Sequence, residues 1–219
     1  MRPYRTPIER RLIGFIAHET SRPLTLDLRS SLSSGCSAAR EYTGSQASQV
    51  SSLGCGSECH HNHFSGSGKS TLMKFLYGDE DNTRHLRVWA DNSPLVRAHF
   101  YFWNPGQQMQ KTLKGLLQTL LYHILQACSD LAPTLCPERW TAESRAQGST
   151  SKQAWTLNEL RRALTIFKAQ CSAKTKFYFH IDGLDEYHGD CWEVIETLQD
   201  LSRAPNIKLC LSSRPWNEF

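Results

Sequence analysis

Gly66-Ser67-Gly68-Lys69-Ser70-Thr71 runs straight into Leu72-Met73-Lys74-Phe75-Leu76. Small residues give way to a lysine, two hydroxyls and a helical apolar pattern, the sequence form of a phosphate-binding loop that opens a helix. Glycines let the backbone wrap closely around a polyphosphate and turn successive N–H groups toward it. The helix N-terminus adds unpaired donors and a partial positive charge. In this reading Lys69 reaches the β- and γ-phosphates and Ser70 ligates Mg2+, while Gly66, Ser67, Gly68 and Thr71 complete the cradle. Taken alone, the stretch also reads as a Gly/Ser linker that contains a lysine. The full pattern places glycine five residues before Gly68, and this chain has His63 there.

Upstream, the expected setting is missing. Such a loop ordinarily leaves a buried parallel strand, read as a Val/Ile/Leu-rich run. Here Ser51-Ser52-Leu53-Gly54-Cys55-Gly56-Ser57-Glu58 leads into Cys59-His60-His61-Asn62-His63-Phe64, with no such run. From residue 29 to about residue 57, serine, glycine and alanine dominate, a composition that predicts disorder. Cys55, Cys59, His60, His61 and His63 offer a rival reading as metal ligands. Zinc sites usually pair two ligand groups across a spacer, and these five crowd together without a distant partner pair. Further upstream, residues 8–16 form a short amphipathic helix candidate.

Downstream the pattern is regular. Residues 71–77 read as a first helix, closed by Gly78 and the acids Asp79, Glu80 and Asp81. Residues 95–103, rich in β-branched and aromatic side chains, read as a strand. Leu113, Leu116, Leu117, Leu120, Leu121, Ile124 and Leu125 make the stripe of a strong amphipathic helix. Pro133 and Pro137 bracket a turn, and residues 143–153 read as a polar loop. Thr156 and Glu159 predict a capping box that opens a helix through Phe167 and Cys171. Residues 176–181 form a second strand, residues 191–202 a helix and residues 207–212 a third strand. Strands alternating with long helices imply a parallel sheet covered on both faces.

Composition narrows the function classes. The chain has 219 residues, a net charge of +4 and no basic stripe, which argues against a nucleic-acid partner. No apolar run approaches the roughly 20 residues that span a bilayer. The basic start, Met1-Arg2-Pro3-Tyr4-Arg5, lacks the apolar core of a secretory signal. Glu9, Glu19 and Asp27 interrupt a mitochondrial alternative. The eight cysteines, among them Cys128, Cys171, Cys191 and Cys210 inside patterns that read as buried, are expected as reduced thiols of a cytoplasmic or nuclear protein.

Two further motifs bear on the loop. Asp182-Gly183-Leu184-Asp185-Glu186 ends the second predicted strand, at the edge where open α/β sheets bind ligands. Asp182 there can hold Mg2+, and Asp185 and Glu186 are close enough to orient or deprotonate a water. An acidic turn is the plainer reading of the same residues. The third strand ends in Ser212-Ser213-Arg214-Pro215, and Arg214 can meet a γ-phosphate through paired hydrogen bonds.

Together with His99-Phe100-Tyr101-Phe102-Trp103-Asn104 and Cys136-Pro137-Glu138-Arg139-Trp140, these motifs resemble the NACHT-type NTPase domain of filamentous-fungal NOD-like, nephrocystin-like signalling proteins. The likeness runs from about residue 65 to residue 219. It implies an α/β P-loop NTPase three-layer sandwich with a parallel sheet, here incomplete at its C-terminus and lacking a proper first strand. It also implies Walker A at Lys69 and Ser70, Walker B at Asp182, an acidic extension at Asp185 and Glu186, and a sensor arginine at Arg214. ATP or GTP with Mg2+ would be bound and slowly hydrolysed as a signalling switch, with self-association through the NTPase domain. The chain then divides into an N-terminal segment (1–28), a Ser/Gly-rich segment (29–62) and the NTPase domain (63–219). The family's loop usually begins Gly-Lys-Pro-Gly, whereas this one begins His63-Phe64-Ser65-Gly66. The alternative is a truncated regulatory or degraded protein whose impaired site leaves only protein–protein contacts.

Overall fold

The computed structural model describes residues 5–19, 68–145, 153–170 and 175–215. Its helices are α1 (Pro7–Glu19), α2 (Lys69–Gly78), α3 (Glu80–Ala90), α4 (Leu113–Ala127), α5 (Ala132–Leu135), α6 (Pro137–Arg145), α7 (Leu157–Gln170) and α8 (Cys191–Ser202). Its strands are β1 (Leu95–Tyr101), β2 (Lys176–Asp182) and β3 (Ile207–Leu211). The strands are parallel in the order β1-β2-β3, with Tyr101 opposite Asp182 and Ile181 opposite Leu211. This is an α/β fold in which helices make every crossover, as parallel pairing demands.

Side chains alternate along a strand, so the register sorts them into two faces. Val96, Ala98 and Phe100 share a face with Phe177, Phe179 and Ile181 and with Ile207, Leu209 and Leu211. The stripe of α4 packs there, together with α7 and α8, and Phe167 of α7 meets the ring of Phe177 edge-on at 4.9 Å. Leu113, Leu116, Leu120, Leu160, Val194 and Leu198 join these strand residues in one core. The opposite face carries Arg97, His99 and Tyr101, then Tyr178, His180 and Asp182, then Lys208 and Cys210. It is covered by α2 and α3, whose buried residues Met73, Leu86 and Ala90 stand apart from the main core.

Helix α1 packs on α4 and α6 and contributes Leu12, Ile13 and Ile16 to the core. It opens with a capping box: Thr6 N–H donates to Glu9 (2.7 Å) and Glu9 N–H to Thr6 Oγ1 (3.2 Å). The box expected at Thr156 and Glu159 is present in the same form, at 2.8 and 3.2 Å.

Several expectations require correction. The acids after Gly78 do not only close a helix. Asp79 caps the next one, accepting from Asn82 N–H at 2.8 Å, and Glu80 and Asp81 sit in the first turn of α3, where the helix dipole favours negative charge. Pro137 is not a turn residue; it begins α6, since proline suits a first turn whose N–H would be unpaired. Glu143 does not open a polar loop. It lies buried in α6 and pairs with Arg11 of α1 at 3.2 Å. β1 ends at Tyr101, short of Trp103. Cys128, Cys191 and Cys210 are half-buried, and Cys136 is the buried thiol among the described residues. All four are free. Among the described residues no helix is long and apolar enough to cross a membrane.

Candidate functional site

Helix α2 begins where Gly68 takes the left-handed backbone, φ 71°, a conformation glycine adopts without steric cost. Leu72 N–H makes the first intrahelical bond, to Gly68 O at 2.8 Å, so the amides of Ser70 and Thr71 precede the helical ladder. Among the described residues no side chain caps this end, and no acid occupies its first turn. Gly66, Ser67 and His63 lie outside the described residues, as do Cys55, Cys59, His60 and His61.

The direction of α2 follows from its contacts. The Met73 backbone meets the His180 ring. One turn later the Tyr77 ring packs on His99 and His180, and its carbonyl accepts from Arg97, two residues lower on β1. The helix therefore descends the sheet antiparallel to the strands. One turn back from Met73, Lys69 stands ~6 Å above the level of His180. Asp182, two residues beyond His180 on β2, stands ~7 Å above it. The start of α2 and Asp182 thus reach the same sheet edge.

At that edge the strand exits are knitted together. Asp182 is 3% exposed, and its Oδ1 accepts from the hydroxyl of Ser212. No other described residue donates to its carboxylate. Ser212 N–H donates to Ile181 O at 3.0 Å, and Leu184 N–H donates to Ser212 O at 3.1 Å. Gly183 turns at φ 76°, and a Cβ there would meet Phe102 O at 2.9 Å, so only glycine fits. Asp185 uses both oxygens on Arg214: Oδ1 accepts the backbone N–H at 2.9 Å, and Oδ2 lies 3.3 Å from Nε. Glu186 Oε2 accepts from Asn104 N–H at 2.7 Å, and Asn104 Oδ1 meets His188 Nε2 at 2.8 Å. Asp182, Asp185, Glu186 and Arg214 therefore share one edge. Ser212, Asn104 and His188 join them, although no residue-type signal marked these three.

Below Asp182 lies a cluster of rings, Tyr77, His99, Tyr101 and His180. Burial lowers the pKa of His180, with the Asp182 charge and the Met73 backbone partly opposing it. Burial and the Arg97 guanidinium lower His99. Tyr101 is pushed up to about 12 by burial, with Tyr77 and Asp182 adding to it. Neutral imidazoles and phenols thus floor the edge below Asp182.

The donor set suits one kind of ion. Among the described residues no cluster of three His, Cys, Asp or Glu could hold a metal unaided. A single anchored carboxylate is the kind of donor that Mg2+ takes, being usually held by one or two carboxylates together with substrate phosphates.

The family described as nephrocystin 3, N-terminal, has a model that matches residues 60–214, a stretch including Lys69, Asp182 and Arg214. No curated protein and no solved structure matches the chain. Helix α1 lies outside the matched stretch. With the match covering more than half of its residues, the chain belongs to the nephrocystin 3 N-terminal family.

Proposed function

We propose that the protein is a NACHT-type P-loop NTPase, a three-layer sandwich that binds ATP or GTP with Mg2+ and acts as a nucleotide-operated switch. The observation that carries this is the antiparallel descent of α2, which turns its uncapped N-terminus toward the edge holding Asp182 and Arg214. In this reading the amides around Gly68 cradle the phosphates and Lys69 pairs with them. Ser70 and Asp182 would hold the metal, which would supply positive charge against that of the phosphates. Arg214 keeps its terminal guanidinium nitrogens for a γ-phosphate while Nε stays with Asp185.

Asp185 has both oxygens engaged by Arg214, so the water-placing role falls better to Glu186, whose Oε2 is held by Asn104. Two acids tied to protein partners favour holding nucleotide over fast turnover. That same observation favours a second reading, in which the site binds weakly or without turnover and the protein works through contacts, including self-association.

Titration with a fluorescent nucleotide tests the proposal. Lys69→Ala should lose Mg-nucleotide binding that the wild-type protein shows. Equal binding by the two proteins rejects the reading.

A further inference from the structure

We infer that Ser212 is a positioning residue for the metal-facing carboxylate of Asp182, so that the exit of β3 sets the Mg2+ dependence of nucleotide binding. This rests on the P-loop reading above. The proposal comes from how Ser212 is itself held. Its N–H and C=O are both used, by Ile181 O of β2 at 3.0 Å and by Leu184 N–H in the turn after β2 at 3.1 Å, so its backbone has no freedom to drift. Gly183 N–H approaches its Oγ at 3.4 Å, and the hydroxyl donates to Asp182 Oδ1. One lone pair is engaged by the amide, and the one proton goes to the carboxylate.

This bond fixes the rotation of a carboxylate that is 3% exposed and has no other donor among the described residues. With Oδ1 anchored, Oδ2 alone is left to meet a cation or its water, the single-oxygen contact that Mg2+ geometry favours. Without the anchor the carboxylate can rotate, and each approach of the metal must first order it. Supporting partners of this kind set metal affinity strongly.

The same short stretch of chain also holds the second acid. Two residues after Ser212, Arg214 N–H and Nε clasp Asp185. The β3 exit therefore holds Asp182 through Ser212 and Asp185 through Arg214. A pull on Arg214 by a bound phosphate would be transmitted to Ser212 through only one intervening residue.

The test uses the full chain and a fluorescent ATP analogue, titrated in EDTA and then with increasing Mg2+. In Ser212→Ala the Mg2+ midpoint should rise about tenfold, the scale of a lost supporting partner. Affinity in EDTA should stay within about twofold, because the loop and Lys69 are untouched. Ser212→Thr, which keeps the hydroxyl, should restore the wild-type midpoint. The thermal midpoint without nucleotide reports folding separately. An unchanged Mg2+ midpoint in Ser212→Ala, or an equal loss in EDTA, overturns the inference and leaves the P-loop reading standing. A wild-type protein without any Mg2+-dependent signal overturns both.

Discussion

The two faces of the sheet are made from the same three strands and differ in almost everything else. On one, Phe177, Phe179 and Ile181 lie fully buried beneath α4, α7 and α8. On the other, Tyr178, His180 and Asp182 lie beneath α2 and α3, interleaved with Tyr77, His99 and Arg97. The apolar face gains stability from area removed from water. The polar face buries heteroatoms at a cost, since Arg97 Nε, His99 Nδ1 and His180 Nε2 have no hydrogen-bond partner among the described residues, and neutral imidazoles keep that cost down. A fold can support both because the first face supplies the stability that the second draws on to hold Asp182 at a dry edge.

The largest effect should come from the apolar face. Phe179 sits at the middle of the central strand with no exposure. Phe179→Ala should cost about 3–5 kcal/mol, the range for emptying a buried aromatic site. The denaturant midpoint measures it. A loss below about 2 kcal/mol would mean that this face closes over the gap and is not the main support.

The place where His123 of α4 meets His99 of the polar face should show itself through pH. His123 of α4, beside His99 at 6.2 Å between ring centres, is pushed down to about 4, by burial first and by the His99 charge second. His99 faces Arg97, Tyr77 and Tyr101 as well, and both His99 and His180 are shifted downward. Above an unfolded-state value near 6.5 the groups are neutral in both states and contribute nothing to pH dependence. As pH falls from there toward about 4, the unfolded chain takes up protons that the folded chain refuses, so stability declines. His123 accounts for about 3 kcal/mol of that decline at most. Urea midpoints at pH 7, 5.5 and 4.5 follow it. His123→Gln should flatten the profile, and an unchanged slope in that variant would show that carboxylates alone cause the decline.

The contrast between the faces explains what could be read from the sequence. β2 reads Phe-Tyr-Phe-His-Ile-Asp, so both its strand character and its acidic end were legible. The stripe of α4 was legible because one helix face meets one continuous apolar surface. Helix α3 was not, because Asp79 ends α2 and caps α3 at once, and a single shared residue leaves no loop to recognise. Helix α6 was hidden for a different reason. Its one buried residue is Glu143, whose partner Arg11 lies far away in sequence. The capping box at Thr6 and Glu9 went unread, although its spacing and Pro7 at the first helical position carry the signal. At the site, Asp182 and Arg214 stand out by residue type and place. Ser212 does not, because its meaning lies in a register between two strands that no local pattern carries.

The smallest effect tests the far end of the polar face. Trp89 of α3 lies over the lower rim of the sheet, with the Lys208 ammonium 4.6 Å and the Lys176 ammonium 5.3 Å from its ring. Two strands thus present a cation to one indole, and the ring is held by its π-face as much as by area. Trp89→Leu keeps apolar cover and removes the π-system, and should cost about 1 kcal/mol for the two contacts. Lys208→Met in both backgrounds separates the ring's attraction from its bulk, since coupled residues depart from additivity. Additive losses would mean that the lysines only pass over the ring. The indole has no proton to gain, so this cost should be equal at pH 7 and pH 5.5, whereas the cost of changing His123 should not be. A pH-dependent Trp89→Leu would join the two ends of the polar face into one electrostatic unit, and the division between its titrating upper end and its fixed lower end would fall.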